Sequence, residues 1–191
     1  MTISANEFFI LGMVSAGSST SEGISGTTIN ELIESRNIQE WTRLSFSSIY
    51  YLLNQLEKKN LIKGAIDKDK PIKGVGAPQK LFLLTQKGKR TLRKTLIEYL
   101  NRVDLNYTEF NIALSTAHIL TIPELRKYMI NLKERLDQRL RKVQHRYTDR
   151  DKELPPEEMP PQVWALFNHA FYMLNAKQSF LDAFIKKLEE Y

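Results

Sequence analysis

The chain contains no cysteine. Disulfides and thiolate metal sites are therefore excluded, and a reducing compartment is compatible with the composition. Histidine is scarce: His118, His145 and His169 lie far apart without His-x-x-x-His spacing, so no metal centre is expected. Proline is also rare outside one stretch, DKELPPEEMPP, which holds four of the seven and must interrupt any helix that reaches it. No apolar run approaches the roughly 18 residues a bilayer span requires. The N-terminus, MTISANEFFILGMV, has no basic residues ahead of its apolar run, as a secretory signal would have. These absences suggest a soluble, cytoplasmic protein with no membrane attachment. Catalytic constellations are missing too. The GKR at Gly88 lacks the rest of a phosphate loop, Glu157 and Glu158 sit in the proline-rich stretch, and no nucleophile stands beside a base. Neither an enzyme nor a cofactor is expected.

What the chain does have is an ordinary apolar content of 42% over 191 residues, enough for one large or two small domains. Its net charge of +6 is unevenly spread. From Arg43 to Lys94 there are thirteen basic and three acidic residues; the remainder holds fifteen basic and nineteen acidic. A basic segment concentrated inside an ordered domain is the footprint of a polyanionic partner. A plain solvated face is the competing explanation.

Periodicity places the elements. NEFFILGMV reads as a buried first helix, and Ser15 to Gly26 as a small, polar loop. Ile29, Leu32 and Ile33 mark a second helix over about 28–36, followed by a short connection carrying Trp41. A third helix carries Ile49, Leu52, Leu53 and Leu56 at the spacing of a core-facing stripe. Ser45 or Ser47 is suited to cap it, and Asn60 to end it in the left-handed conformation. LIKGAI and KLFLLT flank a turn-rich, lysine-rich segment and predict a two-stranded hairpin. A further helix begins after Thr85. The second half is nearly all helical. Thr121 and Glu124 form a capping-box pattern, and Leu125, Met129, Leu132, Leu136, Leu140 and Val143 step by three and four along a seam that wants a covering helix. The last helix, about 162–189, is rich in aromatic residues.

Three helices followed by a hairpin in one compact unit is the element order of a winged helix-turn-helix. The third helix then has an unusual polar side for a surface helix: Ser47, Ser48, Tyr51, Asn54 and Gln55 are uncharged, with Lys58 at its end. Small hydroxyls permit close approach to DNA, and Asn and Gln match the paired edge of adenine. Tyr50 is read equally as core with its hydroxyl on the backbone or as a DNA contact. Lys68, Lys70, Lys73 and Lys80 would form a phosphate-touching wing. Lys87, Lys89, Arg90, Arg93 and Lys94 are read as decoration on a solvated helix.

SSIYYLLNQLEKKNLIKG resembles the recognition-helix segment of PadR-family transcriptional regulators, with Ser48, Ile49 and Tyr50 opening it and Leu56, Glu57, Asn60, Leu61 and Ile62 closing it. GAPQKLFLLTQKG, from Gly76 to Gly88, is similar to the family's wing return. Three positions depart from the pattern: a longer Ser15–Gly26 loop, Asn60 in place of the commoner Gly, and Gln79 in place of a frequent Arg. The resemblance covers about residues 8–100 by motif and the rest by layout.

The expectation is a mainly α protein with a small β-hairpin: an N-terminal winged helix-turn-helix over residues 1–104 and a C-terminal helical dimerisation region over 105–191. The resemblance implies a transcriptional regulator that binds double-stranded DNA; a repressor is expected, acting as a homodimer, whose two-fold axis calls for a near-palindromic operator. It also allows a small-molecule effector, since some members respond to phenolic or drug-like compounds. The seam Leu125, Met129, Leu132, Leu136, Leu140 and Val143, with Trp164, Phe167, Phe171, Leu174 and Phe184, is assigned to the dimer, because the chain looks too short to cover it alone. A winged helix that docks a partner protein in a larger assembly is the alternative; the lysine-rich hairpin argues against it.

Overall fold

The computed structural model describes residues 3–18, 23–42, 44–71, 78–151 and 160–191, and within these the side chains of residues 40, 41, 67–71, 78, 146–151 and 167 are left aside. The described residues form two compact units, residues 1–99 with 104–119, and residues 100–103 with 120–191.

In the first unit, α1 (Ala5–Ser18) is the central helix. Phe8, Phe9, Ile10, Leu11 and Val14 are all buried, so it has no wet face over that stretch. A helix apolar all round is stable only when surrounded, and α1 packs against α4, α6 and β3. Its N-terminus is closed reciprocally: the Ser4 N–H donates to Glu7 Oε2 (2.9 Å) and the Glu7 N–H to Ser4 Oγ (3.2 Å).

β1 (Ile24–Ser25) precedes α2 (Gly26–Ser35), whose N-cap is Ser25; its Oγ accepts from the Thr28 N–H at 3.0 Å. Asn37, in the left-handed region at φ 51°, turns the chain into a single helical turn, α3 (Gln39–Thr42). α4 (Phe46–Lys58) follows and buries Ile49, Leu52, Leu53 and Leu56, the stripe expected from spacing. Asn60 at φ 55° ends it, as expected.

β2 (Ile62–Pro71) and β3 (Pro78–Leu84) make the hairpin, in register from Ile62 opposite Leu84 to Asp67 opposite Gln79. The sheet has three strands rather than two. β1 adds to the outer edge of β3, pairing Ile24 with Phe82 and Ser25 with Leu81, in the order β1-β3-β2. This corrects the reading of Ser15–Gly26 as loop throughout. α1 reaches Ser18, and β1 occupies two later positions. Two residues are too few to show alternation, so the strand is visible only through its partner.

α5 (Gln86–Leu100) starts where Thr85 caps it: Thr85 Oγ1 accepts from the Gly88 N–H at 2.9 Å, and the Thr85 N–H donates to Leu61 O at 3.1 Å. Gly88 is required there, because a Cβ would lie 1.9 Å from Leu61 O. α6 (Tyr107–Thr116), capped by Asn106 and Glu109, lies beyond residue 104 yet packs on α1 in the first unit. The sequence placed this helix with the C-terminal region.

In the second unit, α7 (Ile122–Asp151) and α8 (Pro161–Lys187) run antiparallel. Three cross-links step in opposite senses along them: Arg126 to Glu189, in the turn that follows α8, Lys133 to Asp182, and Gln178 Nε2 to Asp137 Oδ1 at 2.6 Å. The α7 cap is the Thr121–Glu124 box read from the sequence. Leu125, Met129, Leu132, Leu136 and Leu140 are buried within the single chain. The chain does cover its own seam, against the expectation that it could not. Among the described residues, no helix is long and apolar enough to cross a membrane, and no group of three His, Cys, Asp or Glu is placed to hold a metal.

Candidate nucleic-acid interface

α4 has two sharply different sides. Opposite the buried stripe, Ser47, Tyr51, Asn54 and Lys58 are exposed at i, i+4, i+7 and i+11, with Tyr51 63% exposed. Ser48 and Gln55, both half-buried, lie on one flank of this row and Phe46 and Tyr50 on the other. The sequence brings these groups together because helical spacing leaves them no apolar neighbour to pack against.

The N-terminus of α4 is rich in hydroxyls. Ser45 is its N-cap, accepting from the Ser48 N–H at 3.3 Å, and Ser45 Oγ lies 3.1 Å from Ser47 Oγ and 2.8 Å from Ser48 Oγ. No acidic residue falls in the first turn, so the positive end of the helix dipole is uncompensated. At the other end, Lys87 Nζ donates to Lys59 O at 2.8 Å, so Lys87 caps α4 rather than merely decorating α5.

The C-terminus of α4 is tied down twice. Lys59 Nζ pairs with the buried carboxylate of Glu7 on α1. Burial alone would push the Glu7 carboxyl upward, but the hydrogen bonds from Lys59 and from the Ser4 N–H, with the Lys59 charge, bring it below its ordinary value. Glu57, the single acidic residue of α4, accepts from Lys80 Nζ on β3 at 2.7 Å and from the Gly64 N–H on β2 at 3.0 Å. The Lys80 bond holds its carboxyl low, against the effect of burial and with help from Gly64. A Cβ on Gly64 would meet Lys80 Cε at 2.0 Å, so the glycine lets the lysine cross β2 to reach α4. Lys80 Nζ also sits 5.2 Å from the centroid of the Phe82 ring.

Among the residues read from the sequence, Ser47, Tyr51, Asn54 and Lys58 share the exposed row. Tyr50 is half-buried, and its hydroxyl lies 3.2 Å from Thr27 Oγ1 on α2, so it braces one helix of the helix-turn-helix against the other. Lys80 is engaged by Glu57. Lys73 and the side chains of Lys68 and Lys70 lie outside the described residues, as do those of Trp41 and Phe167. Gln79, which stands where an arginine was expected, donates from Nε2 to Ser25 Oγ at 2.9 Å and links β3 to the α2 cap. Two features escaped the sequence reading. One is the Glu57–Gly64–Lys80 cluster, whose members are far apart in the chain. The other is Phe46, 53% exposed at the start of α4, whose only sequence signal is an aromatic residue set among serines.

Elsewhere in this unit, Ser15, Ser18, Leu84, Lys89, Leu92, Arg93 and Ile119 line an open cleft of about 350 Å³.

Helix-turn-helix, hairpin wing and a polar outward helix face define a winged helix-turn-helix domain. Residues 20–94, which hold α2 to the greater part of α5, match the model of the transcriptional regulator PadR-like family. Among solved structures, the chain is similar to Bacillus subtilis PadR in complex with operator DNA, at 20% identity over 97% of this chain and 99% of that one, with a TM-score of 0.43. It is also similar to Bacillus subtilis PadR in complex with p-coumaric acid, at 19% identity over 97% and 99%, TM-score 0.40. A PadR-like regulator from Bacillus cereus shares 17% identity over 98% and 97%, TM-score 0.37. No curated protein matches the chain.

Proposed function

We propose that the chain is a sequence-specific DNA-binding regulator, a repressor, that acts as a homodimer on a near-palindromic operator. One observation carries this reading. The exposed row Ser47–Tyr51–Asn54–Lys58 projects from a helix whose opposite side is sealed into the core, within the most basic quarter of the chain. α4 enters the major groove. Asn54 and Gln55 read base edges, Ser47, Ser48 and Tyr51 hold phosphates or bases at close range, and Lys58 and the wing lysines Lys68, Lys70 and Lys73 supply phosphate contacts. Lys80, paired with Glu57, fixes the base of the wing rather than contacting phosphate.

The second copy docks on α8. Leu166, Met173 and Phe180 recur every seven residues on its exposed side, with His169, Ala176 and Ala183 exposed between them. An apolar and small-residue seam at this spacing is what a partner helix covers. Of the residues first assigned to the dimer whose side chains are described, Trp164 is exposed, and Val143, Phe171, Leu174 and Phe184 are half-buried. The interface therefore moves from α7 to the outward side of α8. The open cleft of the first unit is the place assigned to a small-molecule effector.

Hydroxyl-radical footprinting of the duplex upstream of the protein's own gene tests the DNA reading. Two protected patches related by dyad symmetry and about one helical turn apart are expected; uniform cleavage at saturating protein would overturn it.

A further inference from the structure

We infer that Phe46 reads a thymine 5-methyl group, adding an apolar specificity contact to the polar reading face; this rests on the DNA-binding assignment of α4. Phe46 is the first residue of α4, the end of a recognition helix that reaches base edges. Phe46 is 53% exposed although its side chain is fully apolar. It is also held in place: Phe46 and Tyr50 meet edge-on at 4.9 Å between centroids and 60° between planes. Tyr50 is itself fixed by its hydroxyl contact with Thr27 on α2. The Phe46 ring is thus braced by Tyr50, which reduces the rotamer freedom it gives up on binding.

Ser45 and Ser47, next to it in the chain, carry short hydroxyls 3.1 Å apart. Among these short hydroxyls, the ring is the bulky apolar group exposed at the N-terminal end of α4. In the major groove, one base feature is apolar and projects outward, the thymine methyl, and aromatic and methyl side chains are its natural partners. A phosphate or a cytosine amino group would gain nothing from this ring and would lose water to it. Phe46 therefore favours thymine at one position of each half-site through burial, while Asn54 and Gln55 select through hydrogen bonds.

The test uses the full chain and a duplex that the protein itself enriches from a random pool. Each thymine of the enriched site is replaced in turn by deoxyuracil, which removes the methyl and leaves every hydrogen-bonding edge intact. For the unaltered protein, one position per half-site should lose about fourfold in affinity, the order expected for one methyl returned to water. Phe46→Ala should bind the thymine duplex more weakly by a similar factor and be indifferent to deoxyuracil at that position, while Phe46→Leu keeps part of the preference. Unchanged thermal melting of both variants separates this from misfolding. If no thymine shows a methyl dependence that Phe46→Ala abolishes, the inference fails while the DNA reading stands. If no sequence is enriched at all, the DNA reading fails and takes this one with it.

Discussion

At the scale of the residue, what matters is which groups α4 leaves uncommitted. Asn54 is exposed and forms part of the outward row, so it is available to a base edge. Asn54→Ala should cost about 1–3 kcal/mol on the cognate duplex and almost nothing on random DNA, as read by competition binding. Equal losses on both would remove it from the base-reading set. Gly88 has the opposite role. Its missing side chain lets the α5 N-terminus sit against Leu61 O. Gly88→Ala should destabilise the protein by at least about 2 kcal/mol in chemical denaturation, since the obstacle is backbone and cannot swing aside. Glu7 supplies a pH signature. Its carboxyl is lower in the folded protein than its ordinary value of 4.5, so its contribution is complete above that value and is lost as pH falls through the folded one. Glu7→Gln should cost about 2 kcal/mol at neutral pH and flatten the acid limb of the stability profile. A parallel downward shift of the whole profile, acid limb included, would remove Glu7 from that limb.

Elements show where sequence reading succeeds and where it stops. α4 was legible because Ile49, Leu52, Leu53 and Leu56 repeat at the helical period and Ser45 and Asn60 punctuate it. The cap at Thr85 and the box at Thr121 and Glu124 were legible for the same reason: capping is local, and its signal lies within four residues. β1 was not, since its identity depends on Phe82 and Leu81 across the sheet. Nor was the role of Lys80. A lysine in a basic hairpin looks like a phosphate ligand, and only the approach of β2 to α4 through Gly64 reveals Glu57 as its partner. This difference has a measurable consequence. Lys73→Ala should reduce the salt slope of DNA binding by about 1, whereas Lys80→Ala should leave the slope nearly unchanged and instead reduce affinity by loosening the wing base. A drop of about 1 for Lys80→Ala would show that DNA takes it from Glu57.

For the molecule as a whole, periodicity in α7 and α8 announced burial but could not say which chain would provide the cover. Leu125, Met129, Leu132, Leu136 and Leu140 are buried by the chain's own fold, whereas Leu166, Met173 and Phe180 on α8 are exposed, and the proposed dimer is assigned to them. Two substitutions separate these roles in analytical ultracentrifugation and thermal melting. Leu132→Ala should lower stability by about 2–5 kcal/mol; Met173→Glu should keep the fold and yield monomers. A Met173→Glu protein that still sediments as a dimer would move the interface elsewhere. The central claim is that a neutral polar helix face and a basic wing make this chain a sequence reader, and the most direct measurement is fluorescence anisotropy with the duplex from upstream of its own gene against a scrambled duplex, at several salt concentrations. The account predicts tight binding to the native duplex alone, with affinity falling steeply as salt rises because phosphate contacts release counterions; weak, equal binding to both duplexes at every salt concentration would contradict it.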